Sequence, residues 1–270
     1  MSLLLLWVAT FYPVYPELIH QWLNDSNNSH GLLVPFISLF ILYQKRDKLF
    51  RITPESSYWG LVILAASLII YLIGHAGHIA FITRVMIVCS LAGLVLYNFG
   101  WTALRTVGFP LLFLFFMVPV PDSVYAYFAF PLQLLVSKMS AALIQFISIP
   151  IYREGNMLYF AQAQLEVAEA CSGLRSITSF LMLSVLFAYM LRGNWLKRTA
   201  LVLLAVPLAM LVNIIRVTGT GILAHFRGGE VARGFMHEFS GMVVFTFGIV
   251  LLACFYAFLN RSHRKTDVIS

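Results

Sequence analysis

From Tyr58 to Gly74 the chain carries no charged side chain, and the same is true from Thr199 to Ile215 and from Phe239 to Asn260. Runs of this length and apolarity match what a helix needs to cross the hydrocarbon core of a bilayer, about 20 residues. Only 11% of the 270 residues are charged and 60% are hydrophobic. Ordinary soluble domains are roughly 45–50% apolar and about 25% charged. A soluble globule of this size could not hide so much apolar surface and would aggregate. The apolar runs are continuous rather than alternating, so helices, not a membrane barrel, are expected.

The candidate spans are 3–20, 31–43, 58–74, 80–98, 100–119, 124–149, 172–191, 199–223 and 238–259. Lys45, Arg46, Lys48 and Arg51 crowd one gap between them, Arg192, Lys197 and Arg198 another, and Arg261, Arg264 and Lys265 the tail. The positive-inside rule places all three in the cytoplasm. Nine crossings would put the Arg192–Arg198 gap on the wrong side. The segment 124–149 is interrupted by Pro131, and Gln133, Ser137 and Ser140 fall at i, i+4 and i+7 on one face. Treating it as an amphipathic interfacial or re-entrant helix restores parity. The expectation is an all-α polytopic membrane protein, one integral domain over 1–270 with no separate soluble domain. It has about eight transmembrane helices, both termini cytoplasmic, and a first span retained rather than cleaved as a signal peptide. The net charge of +7 then reads as cytoplasmic anchoring and not as a nucleic-acid surface. Three stretches face outward: Asn24–His30, about Val120–Ala170, and His225–His237. The middle one, punctuated by Pro150 and Gly155, is expected to hold a small turn-and-extended element.

Three residues on separate helices meet at the outer level of this layout. Cys171 lies where the 172–191 segment begins, among Glu166, Glu169, Ser172, Gly173 and Arg175. A helix N-terminus favours the thiolate, the glutamates oppose it, and Arg175 partly offsets them. Cys89 and Cys254 sit inside apolar runs and read as small packing residues. Arg216 lies inside an apolar run, where a guanidinium costs on the order of 3 kcal/mol or more unless it snorkels or pairs. Asn213 stands three residues earlier, on the same face, where it could orient Arg216. His237, flanked by Glu238 and Ser240, opens the last span. A thiol with an imidazole is a nucleophile with its general base, and a guanidinium nearby can hold an oxyanion. That combination points to acyl transfer. His225 shares the outer level and is the rival base. His75 and His78, at i and i+3, lack the further ligands a metal site requires, so no metal or cofactor is expected.

The segments Glu169-Ala-Cys171-Ser-Gly-Leu-Arg175, Asn213-Ile-Ile-Arg216 and His237-Glu-Phe-Ser-Gly241, in this order, resemble the signature of the exosortase/archaeosortase family. Ser29-His30-Gly31-Leu-Leu-Val-Pro35 and Val118-Pro119-Val120-Pro121 also look like family segments. The histidine at the third position favours the bacterial exosortase branch. The resemblance implies a membrane cysteine protease or transpeptidase of the inner membrane with its site on the periplasmic side. Its partners would be membrane-anchored proteins bearing a C-terminal sorting signal of the PEP-CTERM type, in which a short motif precedes a transmembrane helix and a basic tail. It carries the family's catalytic Cys, Arg and His to Cys171, Arg216 and His237, with Glu169, Ser172, Arg175, Asn213 and His225 supporting the site or the substrate. The acceptor that resolves the thioester is open, exopolysaccharide being one candidate and water another. The rival from another class is a non-catalytic membrane component of polysaccharide or protein export. Such a path would be lined by charges on several helix interiors, whereas here the intramembrane charges gather near one face.

Overall fold

A computed structural model describes residues 2–25, 27–161, 163–167, 174–191, 194–228 and 235–264, with the side chains of 2, 174–175, 235–240 and 262–264 outside that description. The chain divides into two compact units, residues 1–121 and 122–270. Among the described residues five helices are long and apolar enough to cross a membrane, six if one bent pair counts as a span; Asp122–Phe146 is one of the five, although the segment 124–149 is expected not to cross.

The first unit begins with that bent pair. Helix α1 (Ser2–Thr10) and helix α2 (Tyr15–Asn24) meet at 41° across a 3-10 turn at Tyr12–Val14. The straight span expected over 3–20 is therefore broken, and Pro13 and Pro16 explain it. Each lacks the N–H a continuous helix would use, and each clashes with the preceding turn. Helix α3 (Leu33–Gln44), the short α4 (Arg46–Leu49) and α5 (Tyr58–Ala76) follow.

Helix α6 is assigned continuously over Ala80–Phe113, but Gly100 within it has φ +77° and ψ −174°. Its two ends show what that residue does. Arg84 Nη1 donates to Gln21 Oε1 at 2.8 Å, and the neighbouring Trp22 Nε1 donates to the Met117 carbonyl at 2.9 Å. A straight helix would hold residues 84 and 117 about 50 Å apart at 1.5 Å per residue. Adjacent side chains of α2 cannot reach both, so the chain folds back at Gly100. The separate spans expected over 80–98 and 100–119 are thus two limbs of one hairpin. In the second limb Pro110 has no N–H to give the Thr106 carbonyl, and Lys45 Nζ donates to that carbonyl at 2.6 Å instead. Proline's missing donor thus becomes the tie between this limb and the end of α3.

The second unit is built around two long helices. Helix α7 (Asp122–Phe146) contains Pro131. Its Gln133, Ser137 and Ser140 stripe is buried, while Tyr127, Phe128, Phe130, Leu135, Met139, Leu143 and Phe146 are exposed. The polar stripe expected on one face is thus present, and it faces protein. Ser140 Oγ donates to the Ile214 carbonyl at 3.3 Å, and the exposed face is the apolar one, as a lipid-bathed helix requires. Three short strands follow, β1 (Tyr152–Glu154), β2 (Met157–Tyr159) and β3 (Gln164–Glu166), in an antiparallel sheet of order β1-β2-β3. This is the turn-and-extended element of the 120–170 stretch. The sheet packs Leu158, Phe160, Leu165 and Val167 against Val136 and Ile144 of α7 and against Val217.

Helix α8 (Leu174–Met190), α9 (Trp195–Arg227) and α10 (Phe235–Arg264) complete the unit. The α8–α9 turn is closed by side chains: Asn194 Oδ1 accepts from the Lys197 N–H, and Arg198 Nη2 donates to the Leu191 carbonyl. These satisfy groups that helix ends leave unpaired. Phe180 of α8, Leu201, Ala205, Leu208, Ala209 and Val212 of α9, and Leu252 of α10 form one packed core.

Candidate active site

Helix α9 carries a half-buried charged residue, Arg216. Helices α9 and α10 run antiparallel and close together, and two glycines allow the approach. A Cβ on Gly248 would collide with Phe180 of α8 and stand 2.8 Å from Val212 Cγ2. Two turns earlier in α10, a Cβ on Gly241 would stand 3.1 Å from both Cζ and Nη2 of Arg216 and 3.3 Å from its Nε. The guanidinium therefore lies directly against the bare backbone of Gly241, an approach that any larger residue would obstruct. Small residues serve this purpose wherever membrane helices pack closely.

His237 is four residues before Gly241 in α10. Residues at i and i+4 share one helical face, one turn apart. Arg216 is thus seated one turn along α10 from the backbone position of His237, although the two are 21 residues apart in sequence and lie on different helices. Asn213, almost fully buried at 2% exposure, precedes Arg216 on α9. Thr220 Oγ1 donates to the Arg216 carbonyl at 2.9 Å, one turn further on.

His225 is placed differently. It lies nine residues beyond Arg216, half a revolution around the helix at 100° per residue. Its ring is 6.4 Å from that of Phe160, next to the sheet, and 5.0 Å from that of Phe226. The rival base thus faces the sheet side of α9, away from the face that meets Gly241.

Cys171, Glu169 and Ser172 lie outside the described residues, and Arg175 lies in the first turn of α8 with its side chain outside them. The residues bracketing Cys171 are described. Val167, four residues before it, is buried in the cluster that contains Val217, the neighbour of Arg216. Leu174, three residues after it, opens α8, which packs along α9.

Two features went unmarked in the sequence. Gly241 stood in a recognised segment without a role, and the wall it forms for Arg216 shows only in three dimensions. In the first unit Arg84 is 3% exposed, and its Nη2 lies 3.1 Å from Glu17 Oε1. Its signal was available: an arginine inside the apolar run 80–98 has to find a partner, and Glu17 and Gln21, one turn apart on α2, supply it. Among the described residues no three His, Cys, Asp or Glu side chains gather as a metal site would require.

Comparison with known proteins adds the family. The sequence matches the transmembrane exosortase family over residues 22–254. No curated protein and no solved structure matches the chain. A match spanning both units, and including all three segments that carry Cys171, Arg216 and His237, establishes that the chain belongs to the transmembrane exosortase family.

Proposed function

We propose that this protein is a membrane cysteine transpeptidase that cleaves C-terminal sorting signals of the PEP-CTERM type at the outer face of the inner membrane. The observation that carries the reading is the seating of the Arg216 guanidinium on Gly241, one turn from His237, within a chain that belongs to the exosortase family. In this reading eight segments cross: the bent α1–α2 pair, α3, α5, the two limbs of α6, α8, α9 and α10. Helix α7, although long and apolar enough to cross, is assigned in this reading to the outer side by the parity of the basic gaps; its C-terminal half packs against Ile214–Ile222 of α9. The basic gaps at 45–51 and 192–198 and the basic tail are cytoplasmic.

The chemistry follows from the residue types. The substrate's single helix docks in the lipid, which leaves its cleavage site at the outer boundary. His237 accepts the proton of the Cys171 thiol as Sγ bonds to the scissile carbonyl carbon. The carbonyl π electrons move onto oxygen, where Arg216 donates hydrogen bonds to the oxyanion. The oxyanion collapses, the C–N bond breaks, and His237 returns the proton to the departing amine. The thioester is then attacked by an acceptor nucleophile or by water, which gives its proton to His237. Release of the acyl group restores the thiol.

The test uses membranes containing a substrate protein with its sorting signal intact. Cys171→Ala abolishes processing with the protein still present in the membrane. Cys171→Ser is nearly as inactive, because an alcohol is far less ionised at neutral pH and lacks the thiolate's nucleophilicity. Cys89→Ala and Cys254→Ala retain processing. Normal processing by Cys171→Ala rules out the mechanism.

A further inference from the structure

Among the described residues, strand β3 has one edge with no backbone partner. In an antiparallel sheet, residues that turn both N–H and C=O toward one neighbour alternate with residues that turn them the other way. The Phe160 N–H donates to the Ala163 carbonyl at 2.8 Å, and the Val167 N–H donates to the Asn156 carbonyl at 2.9 Å. Leu165 lies opposite Leu158 between these two bonds. Ala163, Leu165 and Val167 therefore address β2, and Gln164 and Glu166 turn their backbone groups to the far side. The sheet order leaves β3 at that edge. Among the described residues neither Gln164 nor Glu166 has a backbone partner there, and both are exposed.

The opposite edge is treated otherwise. The Ile151 carbonyl, on the open side of β1, accepts from Gln145 Nε2 of α7 at 3.3 Å. Arg153 Nη1 folds back to the Gly155 carbonyl at 2.7 Å. Proteins generally cover or blunt exposed strand edges, because bare ones recruit other chains. Here the β1 edge has one side-chain tie at its start, whereas among the described residues the β3 edge has none, and β3 leads in five residues to Cys171.

The geometry points to the open edge of β3 as the strand onto which the substrate's extended segment beside the scissile bond is added. This rests on the reading of Cys171 as the nucleophile. A scissile bond has to lie in extended chain, since inside a helix its carbonyl is already engaged along the axis. An extended peptide presents N–H and C=O on alternate residues, the pattern that Gln164 and Glu166 complement. Two outward-facing residues suit a short peptide and are too few for a stable pairing with a second copy of the sheet. Recognition at this edge is carried by backbone, so it tolerates varied side chains in the segment it holds.

The test pairs the purified full-length protein in lipid nanodiscs with a semisynthetic substrate. Its amides flanking the cleavage site are N-methylated one at a time. KM is expected to rise about tenfold or more at alternate positions and stay near the parent value between them, with kcat little changed. Glu166→Pro deletes an N–H that faces the open edge and serves no bond to β2, a substitution that edge strands accommodate. It should raise KM to a similar degree with an unchanged melting temperature. Should Glu166→Pro fail to fold, the methylation series decides alone. A flat series overturns the proposal, as does a Glu166→Pro protein with parent KM, or a cross-link showing β3 paired with β3 of a second copy. Iodoacetamide labelling keeps the two readings apart. If alkylating Cys171 stops processing while the series is flat, the edge is wrong and the nucleophile stands. If the alkylated protein still processes substrate, the nucleophile itself is wrong.

Discussion

Arg216 is held where a charge is costly, and what holds it open to chemistry is an absence: Gly241 has no side chain. A methyl group 3.1 Å from the guanidinium carbon is closer than carbon atoms pack comfortably, so Gly241→Ala should push the guanidinium aside by a few tenths of an ångström or more. Misplacing a catalytic group by about 1 Å can cost roughly 10²-fold. We expect Gly241→Ala to lower kcat roughly tenfold or more with normal abundance in the membrane. Gly219→Ala, on α9 itself, should be silent, because a Cβ there meets nothing within 4 Å. Steady-state rates of the two variants check this, and equal rates would mean the contact is only packing. The two histidines separate in the same assay. His237→Ala should lose about 10²–10⁴-fold, the usual worth of a general base, with part recovered at raised pH where the thiol ionises unaided. His225→Ala should retain most activity, since its ring lies against Phe160 on the other side of α9. At this scale the sequence offered candidate residue types and the order in which they occur. It was silent on Gly241, because a glycine's value there is the space it leaves to a residue on another helix.

Among the elements, the two limbs of α6 depend on one residue. Gly100 adopts φ +77°, a conformation L side chains rarely take, and a Cβ there would strike the Glu55 carbonyl oxygen. A non-glycine residue in such a region costs on the order of 1–3 kcal/mol, before the collision is counted. Gly100→Ala should therefore destabilise the protein by at least that much in detergent unfolding, whereas Gly108→Ala, with open space around its Cβ, should not. Equal midpoints for the two variants would remove the fold-back from the account. Hydropathy made α5, α9 and α10 legible within a few residues, because long charge-free runs leave few alternatives. It blurred α1 and α2, where apolarity ran on through Pro13 and Pro16 and the kink had to be read from proline alone. For α7 it identified the polar stripe and left its neighbour open. Periodicity says that Gln133, Ser137 and Ser140 share a face, but not whether that face meets water or, as here, a backbone carbonyl of α9.

For the whole molecule, membership of the exosortase family and the helical membrane architecture converge on one chemical idea. In the proposed reading, residues far apart in sequence are presented at one membrane level by helices whose direction alternates. Helix α9 brings Arg216 toward the turn of α10 that carries His237, and the described chain on either side of Cys171 belongs to the sheet cluster and to α8. The central claim is that Cys171 becomes acylated. Its most direct measurement is intact-mass and peptide mass spectrometry of the purified protein, quenched in acid during turnover of a sorting-signal substrate. The account predicts an adduct equal in mass to the substrate's N-terminal fragment less one water, mapped to Cys171, released by neutral hydroxylamine and absent from Cys171→Ala. Substrate cleavage with no adduct on Cys171 at any time point, including with a slowed His237→Ala protein, would contradict it.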